Sequence, residues 1–314
     1  MDSSSSSRLP YIDKLRGLAM LLVVWGHTMY FCMYHEQAGI ADPVLSVICT
    51  FHVPLFLFIS GVVISSPPDF RKFTVKSRRF LVPMLVVGVI NALVIGRLRD
   101  FFIDSSHIGY WYLLTLTELY LLLIPFRFCK GVYDVGLALL IWVVSFFFLK
   151  ITSPVISMLN IGAVFVSWPY FIAGYFCRKY GVHALVAGSP RLGVCFAIAY
   201  IALVAVLFPR IDQLPLVLEY VIAFMAIAAL LPLFAIFSNR RTFADRFLLL
   251  IGNSTLDIYV YHYFFIRFIN LDFLCSQFLV VEMTVTAALT IFIAYCSMLV
   301  GRLVRHTCSA WKSK

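Results

Sequence analysis

Five titratable side chains, His27, His52, Glu118, Asp257 and His262, stand inside long apolar runs of this sequence, and Glu219 and Glu282 lie nearer the ends of such runs. If the runs cross a bilayer, each buried ionisable group is costly unless it is paired or faces a wet cavity, so these are the positions at which to look for chemistry. At about 1.5 Å per residue, His27 lies roughly 10 Å from the outer end of its run. His52 lies at a similar depth in the second run, and His262 sits about four or five residues from the outer end of a late one. Three histidines therefore share one layer in the outer half of the membrane. A neutral imidazole with an ordinary pKa of about 6.5 suits general base catalysis. The competing reading is three separate core histidines, each satisfied by a neighbour.

Arg16 precedes His27 by eleven residues, so at roughly 100° per residue both fall on one helix face, about 16 Å apart. A cation at the cytoplasmic end and a base deeper in suit a tunnel that admits an anionic ligand from inside and does chemistry further out. An interfacial anchor is the plainer role for Arg16. The stretch from Asp69 to Pro83 carries Arg71, Lys72, Lys76, Arg78 and Arg79. It reads as a loop that fixes topology or meets anionic lipid, or as a phosphate clamp, for which the planar fork of arginine is well suited. Pro54 follows His52 closely and is expected to break the helix there, as is tolerated where a cavity is lined. No HExxH, Walker-type glycine loop or GxSxG is present. No two of the three histidines are spaced to chelate from one helix, and no metal site is expected.

These residues need apolar helices to hold them. The chain has 314 residues, 62% hydrophobic and 13% charged, which excludes an ordinary soluble domain, where charged residues make up about a quarter. Apolar runs fall at 17–34, 44–66, 80–96, 108–126, 133–149, 152–177, 192–209, 213–238, 247–266 and 277–301. Each approaches the roughly 20 residues a membrane helix needs. The expected fold is therefore all-α and polytopic, with about ten transmembrane helices. Alternating sides are strongly unequal: twenty of the 25 lysines and arginines fall on one, whereas Arg97, Arg99, Lys150, Arg210 and Arg267 fall on the other. The positive-inside rule then places both termini in the cytoplasm. The net charge of +10 is spread through short connections rather than over a soluble face, so no nucleic-acid partner is expected.

Residues 1–10 read as a disordered polar tail, 11–306 as a single transmembrane domain and 307–314 as a cytoplasmic tail. Lys14 and Arg16 before the first run give it the look of a signal peptide, but no small-residue cleavage site follows, so it is expected to remain as a helix. The eight cysteines show no CxxC spacing and are expected to be small core residues.

The segment from Tyr11 to His27, with Asp13, Arg16-Gly17-Leu18-Ala19 and His27 in order, resembles the signature of the membrane acyltransferase-3 family. Phe51-His52-Val53-Pro54 through Ser60-Gly61 resembles that family's second-helix block. Lys76-Ser77-Arg78-Arg79-Phe80 with Pro83 resembles the basic stretch of its third helix. His107 with Trp111-Tyr112-Leu113, and Gly252-Asn253-Ser254 through His262, are similar to later blocks. The resemblance implies a ten-helix enzyme that takes an acyl group, usually acetyl, from cytoplasmic acyl-CoA and places it on a hydroxyl of an extracytoplasmic or lipid-linked carbohydrate. It also implies essential roles for Arg16 and His27, and donor-phosphate contacts at Arg16, Lys76, Arg78 and Arg79. Some members carry a further C-terminal esterase-like domain, which is not expected here.

The expected mechanism has His27 as general base, with His52, Tyr259 or backbone near Pro54 as oxyanion donors and Glu118 or Asp257 orienting the imidazole. His52, His262 and Glu118 thus join Arg16 and His27 as candidate catalytic residues. Acetyl-CoA is expected as donor substrate, with no metal. The expected partners are a carbohydrate or glycolipid acceptor and membrane lipid, with room for a homodimer, and the expected location is a bacterial inner membrane. The rival readings are a proton-coupled exporter using His27, Glu118 and Asp257, and a non-catalytic partner in glycan export. The two halves of the sequence show no clear self-similarity of the kind expected of a transporter.

Overall fold

A computed structural model describes residues 9–35, 42–104, 106–149, 151, 158–238 and 240–312. The tail expected at residues 1–10 falls almost wholly outside them. All regular structure among the described residues is helical. In chain order the helices are α1 (Pro10–His27), α2 (Pro43–Val62), α3 (Phe70–Val94), α4 (Leu98–Ile103), α5 (Trp111–Leu121), α6 (Val132–Phe148), α7 (Ile161–Lys179), α8 (Val182–Ala187), α9 (Pro190–Leu207), α10 (Leu216–Ile236), α11 (Phe243–Asn253), α12 (Thr255–Ile266) and α13 (Leu279–Lys312). Among the described residues six segments are long and apolar enough to cross a membrane: Pro10–Met33, Pro43–Val62, Phe70–Val94, Pro190–Leu207, Leu216–Ile236 and Leu279–Thr307.

Several apolar runs differ from the single helices the sequence suggests. The run 108–126 holds only α5, with short 3₁₀ turns at His107–Gly109 and Ile124–Arg127 on either side. Ile108 and Gly109 have positive φ and Pro125 opens the second turn, so the ladder stops at both ends. The run 247–266 starts earlier and divides at Ser254 into α11 and α12. Asn and Ser side chains compete for backbone partners, which favours an interruption at Asn253-Ser254. The basic stretch is no loop. Asp69 caps the start of α3 by accepting from the Lys72 amide at 2.6 Å, and lysine and arginine propagate a helix well. Pro83 lies inside α3 and Pro54 inside α2, and both helices continue through them.

The chain forms two compact units, one from residues up to Ile59 and from Gly181 onward, the other from Ser60–Tyr180. In the first, α1 is central and packs on α10, α11, α12 and α13. The approach to α11 is close because Gly17 faces the Leu248 carbonyl and Gly252 faces the Asp13 carbonyl, and a Cβ at either glycine would land on that oxygen. In the second unit α3 and α7 both pack against α5, and α6 packs on α7. Buried Asp134 of α6 takes hydrogen bonds of 2.5 Å from Lys179 Nζ and Tyr180 Oη. No disulfide joins the described cysteines. Cys32 and Cys177 are buried, but Cys49, Cys195 and Cys275 lie on the surface, against the expectation that they fill the core.

Candidate active site

His27 is the last α-helical residue of α1, and the chain continues as a π-helical turn over Thr28–Met33. Such wider turns recur at functional sites because they displace side chains from the regular register. Here the turn is anchored on both sides of α12's C-terminus: Cys32 Sγ meets the Ile266 carbonyl at 3.2 Å, and the Leu271 amide donates to the Cys32 carbonyl at 2.7 Å. Trp25 Nε1 donates to Thr286 Oγ1 at 2.8 Å and ties the same end of α1 to α13.

These anchors bring His27 to His262 of α12. Nδ1 of His27 lies 2.9 Å from Nε2 of His262, with the rings nearly parallel. His262 is fully buried and its Nδ1 lies 2.7 Å from the Tyr259 carbonyl and 3.0 Å from that of Ile258. Carbonyl oxygens only accept, so Nδ1 of His262 carries the proton and, in the neutral ring, its Nε2 is a lone pair. His27 must then donate from Nδ1, which leaves Nε2 of His27 unprotonated. His27 itself is only half-buried. The arrangement holds a base in one tautomer with its basic nitrogen free of the pair, the role an orienting partner plays in hydrolytic triads.

The partner of His27 is therefore a histidine and not the acidic residue the sequence suggested. Asp257, one of the two candidates for that role, is ion-paired with Arg305 and packed against Gly301. Glu118 stands on α5 in the Ser60–Tyr180 unit, where its two carboxylate oxygens are buried with no hydrogen-bond partner among the described residues. His52, buried on α2, donates from Nδ1 to the Ile48 carbonyl at 2.7 Å. Of the three histidines expected in one layer, two are bonded to each other and the third is satisfied within its own helix. His107 belongs to the other unit, with its ring nitrogens against the carbonyls of Phe101 and Met158.

At the other end of the same α1 face, Arg16 Nη2 donates to Thr255 Oγ1 at 3.2 Å and Nη1 stands 3.6 Å from Asp13. Arg16 thus meets the first residue of α12 and His27 meets its eighth, as two side chains on one face of α1 should. Lys14 is not a surface anchor. It is 1% exposed, and its ammonium donates to Asp245 at 2.7 Å and to the carbonyls of Phe237, Arg240 and Ser238, closing the end of α10. The bond from Lys14, with those from Thr242, pulls the Asp245 carboxyl down to about 2. Arg78 and Arg79 are exposed on α3, while Lys76 Nζ lies 4.4 Å from the Tyr120 ring centroid.

The site also contains residues that spacing alone did not single out. Tyr263 packs on both histidine rings, 4.1 Å from His262 and 5.3 Å from His27, and Phe31 places its edge 5.7 Å from His27. Arg267, immediately after α12, lies over both of these aromatic rings. The available signal was Tyr263 and Arg267 at i and i+4, next to His262. Among the described residues no group of three or more His, Cys, Asp and Glu side chains is placed to hold a metal ion.

The described residues, all-helical and with six segments long and apolar enough to cross a membrane, define the class of multi-pass membrane proteins. Residues 9–302 match the family model described as an acyltransferase domain, and the chain belongs to this acyltransferase-3 family. No curated protein and no solved structure gives a significant match.

Proposed function

We propose that the protein is an O-acyltransferase of the cell membrane, in a bacterium the inner membrane, which moves an acyl group, by default acetyl, from cytoplasmic acyl-CoA to a hydroxyl of an extracytoplasmic or lipid-linked carbohydrate. The observation that carries this reading is the order of hydrogen bonds through His262, which leaves Nε2 of His27 as an acceptor on a half-buried ring. The acceptor hydroxyl gives its proton to that nitrogen while its oxygen attacks the thioester carbonyl. The tetrahedral intermediate then expels CoA thiolate, which takes the proton back from His27 and leaves the neutral base for the next turnover.

The donor's phosphates are assigned to the exposed cations of α3, Arg78 and Arg79, with Lys76 beside them. Arg16 marks the cytoplasmic end of the α1 face that leads to His27. The topology that fits the distribution of basic residues has ten spans and cytoplasmic termini, with several spans built from shorter helices such as α5 and the α11–α12 pair. The test is thiol release from acetyl-CoA by the full chain purified into lipid nanodiscs. Steady release above a boiled control supports the reading, whereas an exporter or a non-catalytic partner releases none.

A further inference from the structure

Arg267 occupies a place that topology alone does not explain. It is one of only five basic residues assigned to the sparsely charged side, where the positive-inside rule gives no reason for a cation. A long cationic side chain at a helix end ordinarily extends away from the apolar layer towards water. This one instead leans back along α12, with its guanidinium carbon 5.8 Å from the Tyr263 ring centroid, one turn earlier, and 5.3 Å from that of Phe31. A guanidinium within about 6 Å of two ring centroids is attracted to both rings.

The same two rings frame His27, at 5.3 Å for Tyr263 and 5.7 Å for Phe31. A cation and a half-buried base therefore border the same two aromatic rings. In acyl transfer a tetrahedral intermediate spans base and oxyanion donor through two hydrogen bonds of about 2.8 Å each and the two C–O bonds between them. The cation that borders both rings beside His27 carries N–H donors of the kind such an intermediate needs.

Resting on the acyltransferase reading, we propose that Arg267 is the oxyanion-stabilising residue of the transfer step. As the acceptor oxygen forms its bond to the carbonyl carbon, the carbonyl π pair moves onto oxygen, and Arg267 N–H groups donate to it. When the pair returns, the C–S bond breaks and the thiolate leaves with the proton held by His27. Arginine suits this role better than lysine because its charge is permanent and its donors form a rigid fork.

The test uses the full chain in nanodiscs with acetyl-CoA as donor and water as acceptor, so that no acceptor need be known. Arg267→Gln is expected to lower kcat for thiol release by about 10² to 10³, with KM for acetyl-CoA within about threefold of the parent. Arg267→Lys, which keeps a point charge, should recover part of that loss. A glutamine variant with kcat within about threefold of the parent overturns the proposal, as does a defect confined to KM. If the glutamine variant does not accumulate, the lysine variant decides: at least about a tenfold fall in kcat is expected, and parental kcat overturns the assignment. An active parent with an unaffected variant refutes the role of Arg267 alone, whereas a parent that releases no thiol removes the acyltransferase reading and this role with it.

Discussion

Replacing His262 should disable the base without touching it. In the structure His262 Nε2 is the acceptor for the Nδ1 proton of His27. In His262→Leu that N–H faces hydrocarbon, and a buried donor without a partner costs about 1–3 kcal/mol. The imidazole can avoid this cost by moving its proton to Nε2, but it then loses the lone pair that takes the acceptor's proton. Either way the productive tautomer is disfavoured, by roughly ten- to a hundredfold at about 1.4 kcal/mol per factor of ten. His262→Gln offers a carbonyl oxygen near the position of Nε2 and should recover much of the rate. The assay is acetyl-CoA thiol release, with kcat and KM separated and the thermal midpoint recorded, because His262 is wholly buried. Donor KM should stay within about threefold of the parent in both variants. A leucine variant with parental kcat, or a glutamine variant no better than leucine at equal stability, would refute the tautomer argument.

Two further outcomes test other parts of the account. Arg78→Gln with Arg79→Gln should raise KM for acetyl-CoA about fivefold or more, at roughly 0.5–1 kcal/mol for each exposed charge pair, while kcat holds. Unchanged donor affinity would leave those cations as topology anchors. The Asp245 carboxyl is held down to about 2 by Lys14 and Thr242, below the ordinary value of about 3.9. Because the folded value is the lower one, its stabilisation is complete above about pH 4 and is lost as pH falls towards 2. The thermal midpoint should therefore drop across that window in the parent and drop less in Asp245→Asn, and equal slopes in the two would remove Asp245 from the acid response.

Much of the site was legible in the sequence because helical spacing is regular. Eleven residues from Arg16 to His27 place both on one face, and both indeed meet α12. Depth counting put His27 and His262 in one layer, but it could not say which pairs bond: His52 is satisfied within its own helix, while His262 turns to α1. Charge suggests solvent, so neither the burial of Lys14 nor the helical order of the stretch from Asp69 to Pro83 is legible from composition. A tertiary cluster of carbonyls and Asp245 offsets the burial of Lys14, and a capping aspartate with good helix formers orders the basic stretch. The break between α11 and α12 was hidden because hydropathy continues across Ser254 while the hydrogen-bond ladder does not. Arg267 was counted only by sidedness, and its stacking depends on Phe31, which lies far away in sequence.

The central claim is that His27 acts in the chemical step rather than in donor capture. One folded preparation of His27→Ala can be divided between calorimetric titration with CoA and an acyl-transfer assay. The expected result is CoA affinity near that of the parent, with transfer slower by at least about a hundredfold, as loss of a general base requires. Transfer within a few-fold of the parent would contradict the claim, and loss of CoA binding together with transfer would make His27 a donor-site or structural residue instead.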